Sequence, residues 1–205
     1  MTIAGVLLAA GQSRRMGQPK ALLDFGGRPL CTYAAAALLE AGWAGADLEP
    51  LLVVVPPTEV GAQISAALPQ FRAVQNPDPA RGMASSFRAA VAALPKGCTG
   101  ALFLLADMPF VTSQTVQQVA QAFRDSGAPL VLTRYGTGPE AVTAPPHLFR
   151  ADLFDELQSL PDADTGPRQV LRAYAAQTVF VPRPATELLD LDTPEALAEA
   201  QQLLA

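Results

Sequence analysis

An apolar segment at the start of the chain leads directly into a loop that carries fixed positive charge. Residues 3–10 are almost entirely apolar, and Gly11 then opens a loop that contains Arg14, Arg15 and Lys20. Glycine lets a ligand approach the backbone closely, and cations at the end of a buried strand suit a polyphosphate. The segment therefore predicts a phosphate-binding loop beside the first strand of a sheet.

The spacing within this loop excludes the two commonest phosphate-binding motifs. Five residues separate Gly11 from Gly17, and Pro19 rather than glycine precedes Lys20. A P-loop has four residues between its glycines and then Gly-Lys-Ser/Thr, and a dinucleotide fingerprint needs Gly-x-Gly-x-x-Gly. The chain therefore carries a nucleotide loop of another kind.

Short apolar runs alternate with helical patterns along the rest of the chain. The runs do not alternate between apolar and polar residues, which favours strands buried on both faces of a parallel sheet. We predict strands over residues 3–9, 51–55, 101–106, 130–133 and 179–181, and helices over residues 30–41, 59–68, 83–94, 113–124, 151–160, 167–174 and 194–204. This order predicts an α/β fold with a mostly parallel, Rossmann-like sheet and helices on both faces.

Residues 136–146 interrupt the alternation because they are rich in glycine and proline. We expect them to form a small irregular lobe that contributes to the substrate site. A length of 205 residues, half of them apolar, is enough for one domain with a sizeable core, so residues 1–205 are predicted to be a single domain.

Charge and targeting signals limit the function classes. A net charge of −5 gives no global attraction to nucleic acid or to an anionic membrane, so an anionic substrate must be held by local cations. The N-terminus has no signal-peptide pattern, and no apolar run is long enough to span a membrane, so a cytoplasmic enzyme is expected. Cys31 and Cys98 lack metal-ligand spacing and are interpreted as buried thiols.

Two carboxylates follow predicted strands, at the edge where open α/β sheets bind ligands. Asp107 follows an apolar run; the alternative is an ordinary aspartate before a turn closed by Pro109. Asp192 follows the last strand, two residues after Asp190. Asp192 or Thr193 could instead cap the helix predicted from residue 194, because this spacing also matches a capping box.

The first loop also carries a family resemblance. The run Leu8-Ala-Ala-Gly-Gln-Ser-Arg-Arg-Met-Gly-Gln-Pro-Lys20 resembles the signature of the molybdenum-cofactor-type nucleotidyltransferases. Within that group it is most similar to the cytidylyltransferases, since the guanylyltransferases usually have Leu-Ala-Gly-Gly and Asp-Lys at these places. The fold implied by the resemblance is of the nucleotidyltransferase type.

The resemblance implies roles for individual residues. Asp107 and Asp192 would be ligands of Mg²⁺, since Leu-x-Asp-Met-Pro and Asp-x-Asp-Thr-Pro-Glu are family motifs, and Asp190 is the less favoured ligand. Arg15, Lys20 and Asp107 would be the catalytic residues. The nucleotide would be bound by Leu8, Ala9, Ala10, Gly11, Ser13, Arg15, Lys20, Asn76, Pro77, Gly82, Ser85 and Ser86.

The segment from Asn76 to Ser86 resembles the family's Asn-Pro-x-x-x-x-Gly-Met-Ser-x-Ser motif, with Ala84 in place of the first serine. Such a rigid loop followed by serines offers backbone amides and hydroxyls to a base. The alternative is that Ser85 and Ser86 only cap the following helix.

The segment after the strand predicted over residues 130–133 departs from the family's sequence pattern, and the resemblance implies that this segment binds the acceptor. Relatives have Gly-His-Pro where this chain has Gly138-Pro-Glu140, and the single histidine, His147, is interpreted as a packed residue. Further along, Asp164 and Arg168 keep the family pattern. We therefore expect Glu140, Asp164 and Arg168 to bind the substrate, with Arg168 able to pair with an acceptor phosphate.

The activity implied by the resemblance is transfer of CMP from CTP to the phosphate of molybdopterin, with Mg²⁺ as cofactor and pyrophosphate as leaving group. A molybdoenzyme of the hydroxylase type would be a partner. Alternatives are the use of GTP or ATP, a sugar or alditol phosphate as acceptor, and a non-catalytic chaperone that binds the cofactor.

Overall fold

The computed structural model describes residues 1–11, 18–189, 196 and 200. Within them the strands are β1 (Ile3–Leu8), β2 (Asp24–Phe25), β3 (Arg28–Pro29), β4 (Leu48–Val55), β5 (Arg72–Gln75), β6 (Gly100–Leu105), β7 (Leu130–Tyr135), β8 (Val142–Arg150) and β9 (Thr178–Arg183). The α-helices are α1 (Cys31–Ala41), α2 (Glu59–Ala67), α3 (Met83–Ala92), α4 (Ser113–Ser126), α5 (Phe154–Gln158) and α6 (Arg168–Ala173).

The described strands form a central seven-stranded sheet and a small hairpin. The order in the sheet is β5-β4-β1-β6-β8-β7-β9, and β2 pairs with β3 in the hairpin. All neighbours in the large sheet are parallel except β8, which is antiparallel to both β6 and β7. The predicted mostly parallel α/β sheet is confirmed.

Both faces of the central strands are buried, as their apolar runs predict. Every residue of β1 is buried, and successive side chains of a strand point to opposite faces. On one face Leu7 packs in a cluster with α1 and α4. On the other face Val6 packs in a cluster with α3, α5 and α6. Helices therefore cover both faces of the sheet and leave its edges for ligands.

The predicted strands are present, and two further strands join them. β5 and β8 were not predicted, because β5 is short and polar and β8 contains two adjacent prolines. The irregular part of the predicted lobe is shorter than residues 136–146. Only the turn around Gly138–Glu140 is irregular, and from Val142 onward the chain belongs to the central sheet.

The predicted helices are also present within the described part, with end residues shifted by a few positions. Residues 151–160 form a 3₁₀ turn, Ala151–Leu153, followed by α5 rather than one helix. The helix predicted over residues 194–204 lies almost wholly outside the described residues, although Ala196 and Ala200 are helical. Among the helices that the structure describes, none is both long and apolar enough to cross a membrane.

Candidate active site

The carboxyl ends of the parallel strands bring three predicted segments to one edge of the sheet. Backbone hydrogen bonds continue the ladder past the strand ends: the Ala9 amide donates to Val54 O at 2.8 Å, and the Ala106 amide donates to Leu8 O at 3.0 Å. The Asn76 amide donates to Val55 O at 2.9 Å. The loop after β1, the loop after β5 and the turn after β6 therefore start side by side, where open α/β sheets bind ligands.

Lys20 and Asp107 meet at this edge although 87 residues separate them. The Lys20 Nζ donates to the Asp107 Oδ2 at 2.9 Å. Lys20 begins a 3₁₀ turn, Lys20–Leu22, and is buried, whereas the side chain of Asp107 is 36% exposed. The first loop and the acid after β6 thus converge on one place, with the carboxylate reachable from solvent.

The carboxylate at this edge of the sheet suits a Mg²⁺ ion that takes most of its ligands from a bound substrate. Among the described residues there is no group of three or more His, Cys, Asp or Glu side chains that could hold a metal ion. Mg²⁺ does not need one, because it commonly binds one or two carboxylates and completes its shell with phosphate oxygens and water. The exposed carboxylate of Asp107 fits that mode of binding.

Asn76 is the centre of a buried hydrogen-bond network. Its Nδ2 donates to the Ser85 Oγ at 2.7 Å and to the Ser86 Oγ at 3.1 Å, and its Oδ1 accepts from the Asp78 amide at 3.1 Å. Both hydrogens of the side-chain amide are therefore used within the protein. Asn76 holds the first turn of α3 against the loop, so the two serines have a role beyond capping, and the N-cap itself is Gly82.

Gly82 lets another segment pack against the start of α3. Its φ is +83°, and an added Cβ would lie 2.5 Å from the carbonyl carbon of Ala163. The Ala84 amide donates to Ala163 O at 3.2 Å. Only glycine combines this backbone conformation with so close an approach.

Two arginines fix the same segment through one carboxylate. Asp162 accepts from the Arg81 Nε at 2.7 Å and from the Arg88 Nη2 at 2.6 Å. The hydrogen bond from Arg81, followed by that from Arg88, holds the pKa of the Asp162 carboxyl below its usual range. The carboxylate remains charged, and the segment that follows it stays attached to α3.

The predicted acceptor residues divide between two places. Asp164 and Arg168 are exposed on the segment docked beside Gly82, so the structure joins them to the predicted nucleotide loop. Glu140 is exposed on the separate turn after β7. Within the described part of the chain, Glu140 makes no hydrogen bond or ion pair with the other predicted site residues.

Comparison with known proteins identifies the family. The sequence matches the MobA-like NTP transferase domain over residues 5–179. The chain belongs to this family. The prediction of a nucleotidyltransferase is thereby confirmed at the level of the family, and the matched residues include the described site from Leu8 to Arg168.

Relatives of this MobA-like chain bear different names. The probable molybdenum cofactor guanylyltransferase of Rhodopirellula baltica is 29% identical over 198 residues, covering 95% of this chain and 90% of that protein. The nicotine blue oxidoreductase of Paenarthrobacter nicotinovorans is 30% identical over 181 residues, covering 83% of this chain and 81% of that protein.

The fold also matches solved structures. The crystal structure of Rv0371c from Mycobacterium tuberculosis H37Rv has a TM-score of 0.79 at 25% identity, covering 98% of this chain and 97% of that chain. The predicted nucleotidyltransferase-type fold is confirmed. The choice of CTP stays a prediction.

Some predicted site residues of this MobA-like domain lie outside the described residues. Ser13 and Arg15 belong to residues 12–17, and Asp192, with Asp190, belongs to residues 190–195. Their predicted roles stay predictions. Of the three cations predicted in the first loop, Lys20 lies within the described residues.

The histidine and the cysteines are packed in the interior, as predicted. His147 is 5% exposed, its Nδ1 has no hydrogen-bond partner among the described groups, and burial lowers its pKa to about 4. Cys31 and Cys98 are buried free thiols, and burial raises the pKa of Cys31 to about 11. Because these side chains are buried, none of them is in a position to act on a substrate as a base or a nucleophile.

The sequence patterns did not predict the contact between Arg134 and Phe180 on the neighbouring strands β7 and β9. The Arg134 guanidinium lies 5.8 Å from the centre of the Phe180 ring, and that ring is 45% exposed. Residues 130–133 and 179–181 were predicted only as buried strands, because single apolar runs do not show which side chain a neighbouring strand leaves uncovered. Strand register was the missing information.

Proposed function

We propose that the chain transfers a nucleoside monophosphate from a nucleoside triphosphate to the phosphate of a phosphorylated acceptor. The observation that carries the proposal is the contact between Lys20 and Asp107 at the carboxyl edge of the sheet. It joins the cationic first loop to a carboxylate that solvent reaches, in a chain of the MobA-like NTP transferase family.

In the proposed reaction an oxygen of the acceptor phosphate attacks the α-phosphorus of the triphosphate. A new P–O bond forms, the bond from the α-phosphorus to the bridging β-oxygen breaks, and pyrophosphate leaves with that electron pair. Lys20 holds positive charge against the phosphate oxygens as charge develops on the leaving group. Arg15 is proposed for the same task. The acceptor phosphate is already ionised, so no protein base is needed, which agrees with the burial of His147.

We propose Asp107 and Asp192 as the residues that hold Mg²⁺ in this reaction. When bound, the metal would supply further positive charge to the phosphate oxygens. Asp107 is the described ligand candidate, and its contact with Lys20 keeps the carboxylate at the place where a triphosphate is proposed to bind. Lys20 then balances the charge of the carboxylate in the absence of substrate.

The nucleoside is proposed to lie between the first loop and the start of α3. A Cβ on Gly11 would meet no atom of the described residues within 4 Å. Asn76 positions the Ser85 hydroxyl and the Ser86 hydroxyl. The Ser85 hydroxyl already donates to Gly82 O at 2.7 Å, so the Ser86 hydroxyl is the one proposed to donate to a base or ribose. CTP is the proposed nucleotide because Ala10 replaces the glycine that is usual in guanylyltransferases.

GTP is the second candidate nucleotide. Its support is the relative from Rhodopirellula baltica, whose name is probable molybdenum cofactor guanylyltransferase and which aligns over 95% of this chain. The same name supports a molybdopterin-type cofactor as acceptor, with Glu140, Asp164 and Arg168 as proposed acceptor residues. A molybdoenzyme of the hydroxylase type, as the recipient of the product, remains part of the proposal.

The test measures the release of pyrophosphate in the presence of Mg²⁺. The nucleotide is CTP, GTP or ATP, and the acceptor is molybdopterin or an alditol phosphate. Asp107→Asn and Lys20→Ala should each lower kcat/KM about 100-fold or more, the scale expected when one charge-stabilising group is removed. The matched controls are exposed residues outside the site, Asp155→Ala and Lys96→Ala; Lys96 is the only other lysine of the chain.

Wild-type protein that binds the cofactor but releases no pyrophosphate would contradict the proposal in favour of a chaperone. Unchanged turnover in Asp107→Asn would remove this carboxylate from the mechanism. A higher kcat/KM with GTP than with CTP would assign the base to guanine and leave the reaction itself as proposed.

A further inference from the structure

The hairpin of β2 and β3 depends on side-chain packing for its position. Each strand has two residues, and the hairpin does not belong to the seven-stranded sheet. A two-stranded hairpin is at best marginally stable in water on its own. It is supported by a small hydrophobic cluster, here called the hairpin cluster: Phe25, Leu30 and Ala200 are buried in it, and Tyr33 and Phe110 pack against them.

Phe25 is the centre of the hairpin cluster. Its ring centre lies 5.1 Å from that of Tyr33 and 6.0 Å from that of Phe110, with interplanar angles of 74° and 89°. Edge-to-face contact is a preferred geometry for aromatic pairs. The Tyr33 hydroxyl also donates to Phe25 O at 2.6 Å. Because Tyr33 belongs to α1, which packs on the central sheet, Phe25 is fixed to the body of the molecule.

Phe110 belongs to the same turn as Asp107. The Met108 amide donates to Leu105 O at 3.3 Å, and the Val111 amide donates to Met108 O at 3.4 Å. These hydrogen bonds make the chain turn tightly between β6 and α4. A displacement of the Phe110 ring therefore displaces the backbone that carries the Asp107 carboxylate.

Phe25 is connected as closely to the turn that begins at Lys20. The Leu23 amide donates to Lys20 O at 3.1 Å, and the Leu30 amide donates to Leu23 O at 2.9 Å. Leu23 is buried. The turn and the two ends of the hairpin are thus hydrogen-bonded one after the other, so the hairpin cluster also holds the backbone of Lys20.

A third part of the chain packs in the hairpin cluster. Ala200 is helical and 3% exposed, and it lies against the buried side chains of the hairpin. It follows the run that contains Asp190 and Asp192. The cluster therefore joins the chain after Lys20, the chain after Asp107 and the chain after Asp192.

We propose that Phe25 and Phe110 are positioning residues that hold the Asp107 carboxylate against Lys20. Two contacts join the same two segments. The Lys20 Nζ donates to the Asp107 Oδ2 at 2.9 Å, and the two phenylalanine rings meet at 6.0 Å. Water competes for the carboxylate because the Asp107 side chain is 36% exposed, so the ring pair keeps its turn close to Lys20. The inference rests on the proposed function and adds residues that act through Lys20 and Asp107.

The test measures the contact between Lys20 and Asp107 in the protein without substrate. The chain has two lysines, Lys20 and the exposed Lys96. Brief reaction with acetic anhydride, followed by mass spectrometry of the peptides, gives the reactivity of Lys20 relative to Lys96. This ratio should be low in the wild type, because the Lys20 side chain is 10% exposed and paired. Phe110→Leu should raise it about two- to tenfold, the factor that one aromatic pair contributes to an equilibrium.

Two variants separate positioning from general stability. Phe149 makes edge-to-face pairs with Phe87 and Phe103, at 6.1 Å and 5.6 Å, within the cluster that α3 covers. Phe149→Leu should therefore destabilise the protein at least as much as Phe110→Leu, because Phe110 is only partly buried, and leave the lysine ratio at the wild-type value. Phe110→Tyr keeps an aromatic ring at the turn and should also keep the wild-type ratio.

A double variant shows whether Phe110 acts through the carboxylate. Asp107→Ala removes the partner of Lys20 and should raise the lysine ratio by itself. Adding Phe110→Leu to Asp107→Ala should raise the ratio no further, because the contact that the ring supports is already lost. Independent, multiplying effects of the two changes would overturn the inference. So would a wild-type ratio in Phe110→Leu, or an equal rise in Phe149→Leu.

Pyrophosphate release keeps this inference apart from the proposed function. In Phe110→Leu kcat/KM should fall by about the factor by which the lysine ratio rises, and in Phe149→Leu it should stay at the wild-type value. A raised ratio with unchanged kcat/KM would overturn the role in the reaction. Wild-type protein that releases no pyrophosphate from any triphosphate would overturn the proposed transfer, while the lysine ratios would still decide whether Phe25 and Phe110 hold the contact.

Discussion

At the residue scale, the two glycines of the candidate site are constrained by different partners. Gly82 is required by the protein, because its backbone conformation and its contact with Ala163 exclude a side chain. Gly11 is not, since a Cβ there would meet no atom of the described residues within 4 Å. The proposed function assigns this space beside Gly11 to the nucleoside triphosphate.

Gly11→Ala consequently separates binding from folding. The variant should unfold at the wild-type temperature and raise the KM for the nucleoside triphosphate several-fold, because the added methyl group occupies space that the proposed ligand needs. Thermal unfolding and pyrophosphate release at varied nucleotide concentration measure the two effects. Gly42→Ala is the control, since its Cβ would make only ordinary contacts, at 3.8 Å from Leu48 O. It should keep the wild-type KM and unfold at the wild-type temperature or slightly above it, because Gly42 already has helical dihedral angles. A wild-type KM in Gly11→Ala would speak against a ligand at this loop.

At the element scale, apolar runs predicted the strands that helices cover on both faces. β1 and β6 are buried along nearly their whole length, so their composition alone identified them. β5 is mostly exposed, and β8 combines exposed residues at its start with buried ones at its end. Their assignment depends on neighbouring strands, which a local pattern does not contain. The site was predictable where topology decides it, as for Lys20 and Asp107. It was not predictable where the packing of one loop on another decides it, as for the two arginines that donate to Asp162.

The segment after α5 packs on the start of α3, where Gly82 contacts Ala163. This contact between two elements leads to a prediction. Gly82→Ala should lower the free energy of unfolding by about 1–3 kcal/mol, because the residue would be forced into a backbone region that is nearly reserved for glycine. It should also raise the KM for the acceptor, since Ala163 must move and Asp164 and Arg168 move with it. Urea unfolding and pyrophosphate release measure the two effects.

Gly97→Ala is the matched control for that variant. Gly97 also has a positive φ, of +90°, but an added Cβ would meet nothing within 4 Å among the described residues. It should lose some stability through backbone strain alone and keep the wild-type KM for the acceptor. An acceptor KM that is unchanged in Gly82→Ala would mean that the docked segment does not serve the acceptor.

At the scale of the whole molecule, one buried imidazole couples folding to pH. His147 is the only histidine of the chain, and it lies in β8 opposite Phe103 and Leu132. Burial lowers its pKa to about 4 in the folded protein, whereas in the unfolded chain it is near 6.5. The unfolded state therefore binds a proton more readily between these values, and acid favours unfolding.

The sign of the effect follows from that difference. Above about pH 7 both states are neutral and His147 contributes no pH dependence; as the pH falls from 6.5 toward 4, unfolding becomes easier by up to about 3 kcal/mol. His147→Leu removes this group and its unpartnered Nδ1 while keeping the site apolar, so its stability should fall less over the same range. Urea unfolding of both proteins at pH 7, 6, 5 and 4.5 gives the difference directly, because the carboxylates are common to both. Parallel curves would mean that the imidazole becomes protonated in the folded protein as easily as in the unfolded one, which requires an acceptor or water at Nδ1 inside the sheet.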